Sequence, residues 1–550
     1  WSKSINKYSA GWNKYLLGSY EQNEDGSYSY TTNRVGNEVS TDLNSTNETA
    51  GDRRIYLEAM VDYNRTFGRH DVNAMLLYNQ DELVNNVPGN NLINSLPKRK
   101  QGLAGRLSYA YDGKYMAEVN MGYNGSENFA KGHRWGFFPS IALGYNISEE
   151  SFFEPLRKVI TSMKLRGSWG LVGNDQIGGE RFIYMPTINL SGKGFTTGID
   201  QNYGLSGPVY TRYENNSITW EVGEKINLGI DLQLLNSLNI VVDIFRETRR
   251  DIFQKKGTIP TYLGTGNTDV FGNLAEMKNQ GLDLSIDYNK AFSKDFYMNF
   301  KGTFTYAHNE ITKYDEAPKY AFQSKVGQSA NVSQGYLSNG LFLDEAEIDR
   351  YNQQMGSTLG AGDIKYLNVS NMHGYGDDIV DVDDWTWIGN PTVPEIVYGF
   401  GPSFKYKNWD FSFFFQGVAK TSLFMSGFHP FGDNSLRNVL QFVANDRWSP
   451  TNQNVDAKYP RLTRKTSLNN TNPGNSGRTS DYWMRDGSFL KLKNMELGYT
   501  FKRMRFYISG SNLLTFSKFD LWDPEQGGGS GLKYPTQRVF NVGFQMTFNN

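Results

Sequence analysis

The sequence contains no cysteine in 550 residues. Disulfides, thiolate metal sites and cysteine nucleophiles are excluded together. It has only five histidines, His70, His133, His308, His373 and His429, and no two share a His-x-x-x-His spacing, so no zinc site built on paired imidazoles is expected. An excess of charge of one sign is also missing. Lys plus Arg is 56 and Asp plus Glu is 57, a net charge of −1, which offers no field for nucleic acid or an acidic polymer. No stretch approaches the ~18 consecutive apolar residues of a membrane-spanning helix. No basic and apolar leader opens the chain, whose first residues, WSKSINKYSAGWNKYLL, already read as mature structure. There is no Gly-x-Ser-x-Gly elbow. The glycine run in EQGGGSGLKYP (525–535) lacks the preceding strand and following Lys-Ser or Lys-Thr of a phosphate cradle. Neither catalysis nor a cofactor is expected.

What is abundant is aromatic. Tyr, Phe and Trp make up 15% of the chain, yet mean hydropathy is low, at −0.57. The two facts meet in an alternating pattern. In RRIYLEAMVDYN (53–64), Ile55, Leu57, Ala59, Val61 and Tyr63 take the odd positions, and Arg54, Glu58, Asp62 and Asn64 lie among the even ones. Successive side chains of a strand point to opposite faces, so this segment sits between an apolar and a polar environment. INLGIDLQLL (226–235) repeats the pattern, as does GLDLSIDY (281–288), which a short turn joins to FYMNFKGTFTY (296–306). Further strand pairs are expected at 101–111 with 114–124, 395–406 with 409–418, and 489–501 with 504–512. Long polar stretches at 171–218, 310–390 and 424–480 separate them.

Strands of soluble sandwiches average ~5–6 residues. Strands that cross a membrane in a barrel need about 9–11, with short turns at one end, long loops at the other and aromatic girdles at both interfaces. The runs here reach the second length. The expected fold is therefore all-β, a transmembrane antiparallel barrel with long extracellular loops, its apolar positions facing lipid.

Several non-repeating stretches carry a family resemblance. SENFAKGHRWGFFPSIALGYNISEE (126–150), MKLRGSWGLVGND (163–175), TWEVGEKINLGIDLQLLNSLNIVVDIFRETRRDIF (219–253) and GNLAEMKNQGLDLSI (272–286) resemble segments of the SusC/RagA-like TonB-linked outer-membrane transporters of Bacteroidetes. So do GDIKYLNV (362–369), IGNPTVPEIVYGF (388–400), RWSPTNQNVDAKYPRL (447–462), SDYWMRDGSFLKLKNMELGYTF (480–501), RFYISGSNLLTFSKFDLWDPE (505–525) and RVFNVGFQMTF (538–548), in the family's order. Phe548 resembles the aromatic ending of such barrels, although Asn549 and Asn550 follow it. The resemblance implies a plugged barrel of ~22 strands. Residues 1–550 would be its C-terminal portion, with the N-terminal plug and first strands absent from this chain. It also implies import of oligosaccharides, or of peptides, with energy from the TonB complex acting on the missing plug. A SusD-like surface lipoprotein would act as lid, and lipid of a Gram-negative outer membrane would surround the wall. A passive porin-like barrel of ~16 strands and a secreted soluble β-rich glycan-binding protein are the alternatives; detergent dependence separates the latter from both barrels.

Aromatics of the long loops are candidates for stacking on sugar rings: Trp385, Trp387, Tyr482 and Trp483 first, with Tyr375, Trp448 and Trp522 beside them. Each could equally anchor the core of a loop. In many members of the resembling family a loop after GDIKY carries Asp-x-Asn-x-Asp-Gly, spaced like a calcium loop. Here Asn368 and Ser370 replace the leading acids, and an insertion with Met372 and His373 separates them from Asp377, Asp378 and Asp381. That broken spacing predicts a hydrogen-bonded loop and no metal.

Overall fold

The computed structural model describes residues 2–11, 13–35, 38–87, 92–178, 181–260, 262, 269–351, 353–354, 359–427, 431, 439–463 and 479–548. His429, Asn549 and Asn550 lie outside the described residues. Among those described, sixteen strands form one antiparallel sheet whose spatial order follows the chain. The sheet begins with Ser2–Ser9 and ends with Val539–Met546, and the described residues of these two strands do not pair with each other. Among the described residues no helix is long and apolar enough to cross a membrane.

Each expected hairpin is present, and all but the pair at 395–406 with 409–418 are longer than their pattern. GLDLSIDY lies within Phe271–Ala291, paired with Phe296–Lys313; the other pairs are Lys98–Tyr111 with Tyr115–Ser126, Ile396–Tyr406 with Trp409–Ala419, and Phe489–Phe501 with Met504–Ser517. Connections alternate between the two ends of the sheet; 147–159, with two 3-10 turns, is the exception in length among those at the short-turn end. At one end they are short, as at 68–69, 112–114, 235–237, 292–295, 407–408 and 502–503; at the other they run through 10–43, 175–220, 314–395, 420–488 and 518–538. The tight turns come from local chemistry. Asp112 (φ 54°) and Gly113 (φ 66°), the central residues of the turn that Lys114 N closes on the Tyr111 carbonyl at 2.9 Å, both take the left-handed conformation, whose twist matches that of the flanking strands.

Register carries the two faces around the wall. Tyr63 pairs with Ala74, and the row continues through Leu107, Val119, Ile141, Trp169 and Ile226. A neighbouring row runs Leu228, Ile244, Leu282, Tyr306, Ile396. Val61 (71%), Leu228 (63%) and Ile244 (60%) are open to the surroundings, which suits hydrocarbon. Aromatic rings cluster beside the short turns: Tyr115 stacks on Tyr145 at 5.2 Å, Phe292 on Phe296 at 5.4 Å, and Trp409 meets Tyr499 at 4.7 Å. A second group, including Tyr123 stacked on Trp135 at 4.8 Å, lies at the long-loop ends of its strands. Two girdles bracketing an apolar band are the signature of a bilayer-spanning wall.

Three features were not expected from the alternation: the strand Ser2–Ser9, and separate hairpins Lys14–Gln22 with Tyr28–Val35 and Thr187–Thr197 with Tyr203–Arg212. The last lies inside a stretch read as polar loop.

Candidate functional site

The polar face of the wall is built from matched charges. Arg106 Nε and Nη2 hold Glu118 at 3.0 and 2.8 Å, and Ser108 Oγ donates to the same carboxylate at 2.8 Å. Arg166 bridges Asp231 at 2.8 Å and Asp243 at 2.9 Å. Arg505 joins Asp410 and, at 2.6 Å, Glu496. Two glycines make room for these guanidinium groups. A Cβ on Gly229 would lie 2.8 Å from Arg166 Cζ, and one on Gly498 would lie 2.5 Å from Arg505 Nη2. Charges with partners within reach present hydrogen-bonding capacity without a strong net field, which suits a passage for polar, uncharged or mixed-charge cargo.

Above the wall, the stretches expected as polar loops contain two hydrophobic cores. The larger draws on three connections, 314–395, 420–488 and 518–538, and includes Tyr336, Tyr366, Phe431, Trp448, Trp483 and Phe519. Four short ribbons organise it: 333–335 with 386–388, 338–341 with 364–366, 353–354 with 379–380, and 422–424 with 484–486. The smaller core gathers Phe129, Ile177, Ile183, Ile218 and Trp220 from connections 127–134 and 175–220.

Ion pairs pin the larger cap together. Arg461 reaches across to Asp363 with two bonds, 2.6 and 2.8 Å, and Asp363 is 1% exposed. The hydrogen bonds to Asp363 hold the Arg461 guanidinium pKa above its ordinary value, against burial, which acts to lower it. Lys491, also 1% exposed, meets Asp523 at 2.5 Å and Glu525 at 2.8 Å, and Lys493 adds a 2.6 Å contact to Glu525. Burial raises both carboxyls, but hydrogen bonds from Lys491, and on Glu525 also from Lys493, outweigh it and leave each below its ordinary range. The connection 518–538, including the glycine run, is thereby fastened to the wall.

The four leading aromatic candidates lie in this larger cap. Trp483 is completely buried, 5.3 Å from Phe431 and 5.4 Å from Tyr482, so its ring serves as core. Tyr482 donates its hydroxyl to the Ala457 carbonyl at 2.7 Å, and burial raises its pKa. Trp385 packs edge-on against Tyr336 at 6.1 Å, and Trp387 donates to the Ser324 carbonyl at 2.9 Å; both keep part of their surface open. Trp448 is buried in the same core, while Trp522 is half-buried against Phe519 at 4.6 Å. Tyr375 is exposed and stands in a group that sequence reading did not assemble. It meets Tyr320 at 4.3 Å; Tyr320 stacks on Phe322, and Phe322 stacks on His373 at 4.6 Å. The only signal for Tyr320 and Phe322 was a pair of aromatics in a polar stretch.

The other described histidines take ordinary roles. His70 Nδ1 bonds the Tyr109 hydroxyl at 2.8 Å, His308 bonds Glu395 at 2.5 Å, and the His133 amide closes a turn on Ala130. No group of three His, Asp or Glu side chains able to hold a metal ion occurs among the described residues.

An antiparallel wall that is apolar outside and charged but paired inside, with short turns at one end and a packed cap of long loops at the other, defines an integral outer-membrane β-barrel. A family model described as "TonB dependent receptor-like, beta-barrel" matches residues 1–513, and the chain belongs to that family. It is 25% identical to TonB-dependent receptor P3 of Formosa agariphila over 94% of its own length and 54% of that protein's. It is 28% identical to TonB-dependent receptor SusC of Bacteroides thetaiotaomicron over 81% of the chain and 43% of that relative. The chain thus spans about half the length of the curated relatives it matches. The structure of the RagAB peptide transporter shares the fold, with a TM-score of 0.67 at 19% identity over 92% of this chain and 56% of that one.

Proposed function

We propose that this chain supplies barrel wall and extracellular cap to a SusC-type nutrient importer. The observation that carries this reading is the pairing of a wide polar inner wall with a hydrophobically cored loop cap. A wall of this kind conducts polar cargo, and a cored cap gives a firm rim on which a lid can seat. Names borne by relatives, TonB-dependent receptor SusC and RagAB peptide transporter, support oligosaccharide or peptide cargo and TonB-derived energy. In this reading residues 1–550 are the C-terminal portion of the transporter's barrel. The plug and the remaining strands lie in polypeptide outside this chain, and a SusD-like lipoprotein covers the long-loop end. The work is conformational, release of a plug, and no covalent chemistry is assigned. Cargo contacts fall to the aromatics with open surface, Trp385, Trp387 and Tyr375. Tyr482 and Trp483 belong to the core against which Trp385 packs.

Intact mass of the protein purified from native outer membranes, with whatever co-purifies, tests the proposal. A polypeptide well above the 62.5 kDa of this chain, carrying a surface lipoprotein, is the expected result. A species of 62.5 kDa that conducts solutes alone, with no partner, would overturn it in favour of a porin.

A further inference from the structure

The acidic stretch 374–387 follows the short helix Val369–Met372, and four of its carboxylates, Asp377, Asp381, Asp383 and Asp384, are engaged in hydrogen bonds or an ion pair. Asp384 is fully buried and spends both oxygens on backbone donors, Oδ1 accepting from Ser370 N at 2.9 Å and Oδ2 from Asp381 N at 2.8 Å. Asp381 Oδ1 accepts from Asp383 N at 2.8 Å. At the centre stands Asn368. Its Oδ1 caps the helix, accepting from Asn371 N at 2.8 Å and Ser370 Oγ at 3.0 Å. Because a backbone N–H can only donate, that bond fixes which end of the amide is oxygen. The Nδ2 end therefore points the other way, into three oxygens: the Asp377 carbonyl at 2.8 Å, Asp377 Oδ1 at 3.0 Å and the Ile379 carbonyl at 3.3 Å.

Carbonyl and carboxylate oxygens converging on one point are what a calcium ion takes as ligands, at about 2.3–2.6 Å. Here that point is occupied by an amide nitrogen with two N–H groups. The residues do not fit a cation: a donor stands where the charge would be, Ser370 offers its hydroxyl hydrogen to an acceptor, and each oxygen of Asp384 already accepts a backbone N–H. We infer that the Asn368 side-chain amide takes the place of a divalent cation at the centre of the 368–384 turn, so that this part of the cap holds its shape without metal. The inference rests on the hydrogen bonds of this turn and is independent of the transport reading.

Replacing the Asn368 amide nitrogen by oxygen reverses the argument. In Asn368→Asp a carboxylate oxygen faces three others, an arrangement that a divalent cation relieves. The test is hydrogen–deuterium exchange of the amides of 369–384, read by mass spectrometry on the detergent-solubilised protein in EDTA and in about 1–5 mM calcium, the range that fills extracellular calcium sites. The native protein should exchange at the same rate in both. Asn368→Asp should exchange about tenfold faster in EDTA and regain protection in calcium, as expected when the free ion is about ten times its dissociation constant. Asn368→Ala, which loses the donors and gains no ligand, should exchange faster regardless of calcium, and it keeps the test decisive if Asn368→Asp does not fold. Calcium-dependent protection in the native protein would overturn the inference. So would an Asn368→Ala variant as protected as the native chain.

Discussion

Leu284 and Asp283 are adjacent in one strand and face opposite media, which makes a charge at each a direct measurement of the wall. Leu284 pairs with Val242 on one side and Phe304 on the other, both apolar. It lies seven residues from Ala291, the strand's last residue before the short turn. A strand rise of ~3.3 Å and a tilt of ~40° give ~2.5 Å of height per residue, so Leu284 sits ~18 Å above the turn. The aromatics Tyr288, Phe292 and Phe296 occupy the first turn-proximal positions. An apolar band ~25 Å tall that starts among them has its midplane within a few ångströms of Leu284. Leu284→Arg should therefore cost about 2–4 kcal/mol, a ~30- to 1,000-fold shift of the folding equilibrium. Asp283 faces the lumen, where Thr305 Oγ1 donates to it at 2.7 Å; Asp283→Asn keeps that acceptor and should change stability by no more than about 0.5 kcal/mol. Tyr288→Arg, nearer the interface, should carry a charge cost of only ~0–1 kcal/mol. Guanidinium unfolding in lipid vesicles, followed by tryptophan fluorescence, gives all three numbers. Equal costs at Leu284 and Asp283, or a cost at Tyr288 matching that at Leu284, would refute the lipid-facing assignment.

Other expectations concern the cap. Asp363→Ala removes the carboxylate that holds the Arg461 guanidinium in a half-buried site and should destabilise the cap by up to about 3–5 kcal/mol, with the double variant Asp363→Ala/Arg461→Met recovering much of it; thermal unfolding of the two variants checks both. Trp483→Ala removes the largest fully buried side chain among the described residues and should cost about 3–5 kcal/mol, read as lost near-ultraviolet circular dichroism and faster proteolysis within 420–488. Asp523 and Glu525 have depressed pKa values in the folded protein, so the stability they contribute is complete above their unfolded values of ~3.9 and ~4.3 and is lost as pH falls through the lower folded ones. The half-buried Trp522 beside them should report release of 518–538 as a fluorescence change below about pH 4.5, abolished in advance by Lys491→Met.

The wall was legible because alternation is a two-residue code and lipid enforces it: every slip would turn a row such as Leu228 and Ile244 toward water. Turns were legible where chemistry demanded them, as at Asp112–Gly113. The cap was not. Its core residues, among them Tyr366, Phe431 and Trp483, are separated by scores of polar residues and meet only through connections that cross between strands, so no local period announces them. The same reasoning separates the four aromatic candidates. Sequence supplies their identity as rings in long loops, while burial, which divides Trp483 from the half-open Trp387, is a property of the assembled connections. Asn368 is a similar case: a broken calcium spacing was visible, but not the amide that stands at its centre.

The division of the cap into two cores has a consequence for how such proteins can change. Connections 314–395, 420–488 and 518–538 share one interior, so a new segment in any one must fit side chains contributed by the other two. Connections 127–134 and 175–220 share the other. The heritable unit of surface variation is therefore a set of loops. Exchanging a whole set between relatives keeps the side chains of its core matched, whereas grafting a single loop leaves a cavity where its neighbours expected an aromatic ring.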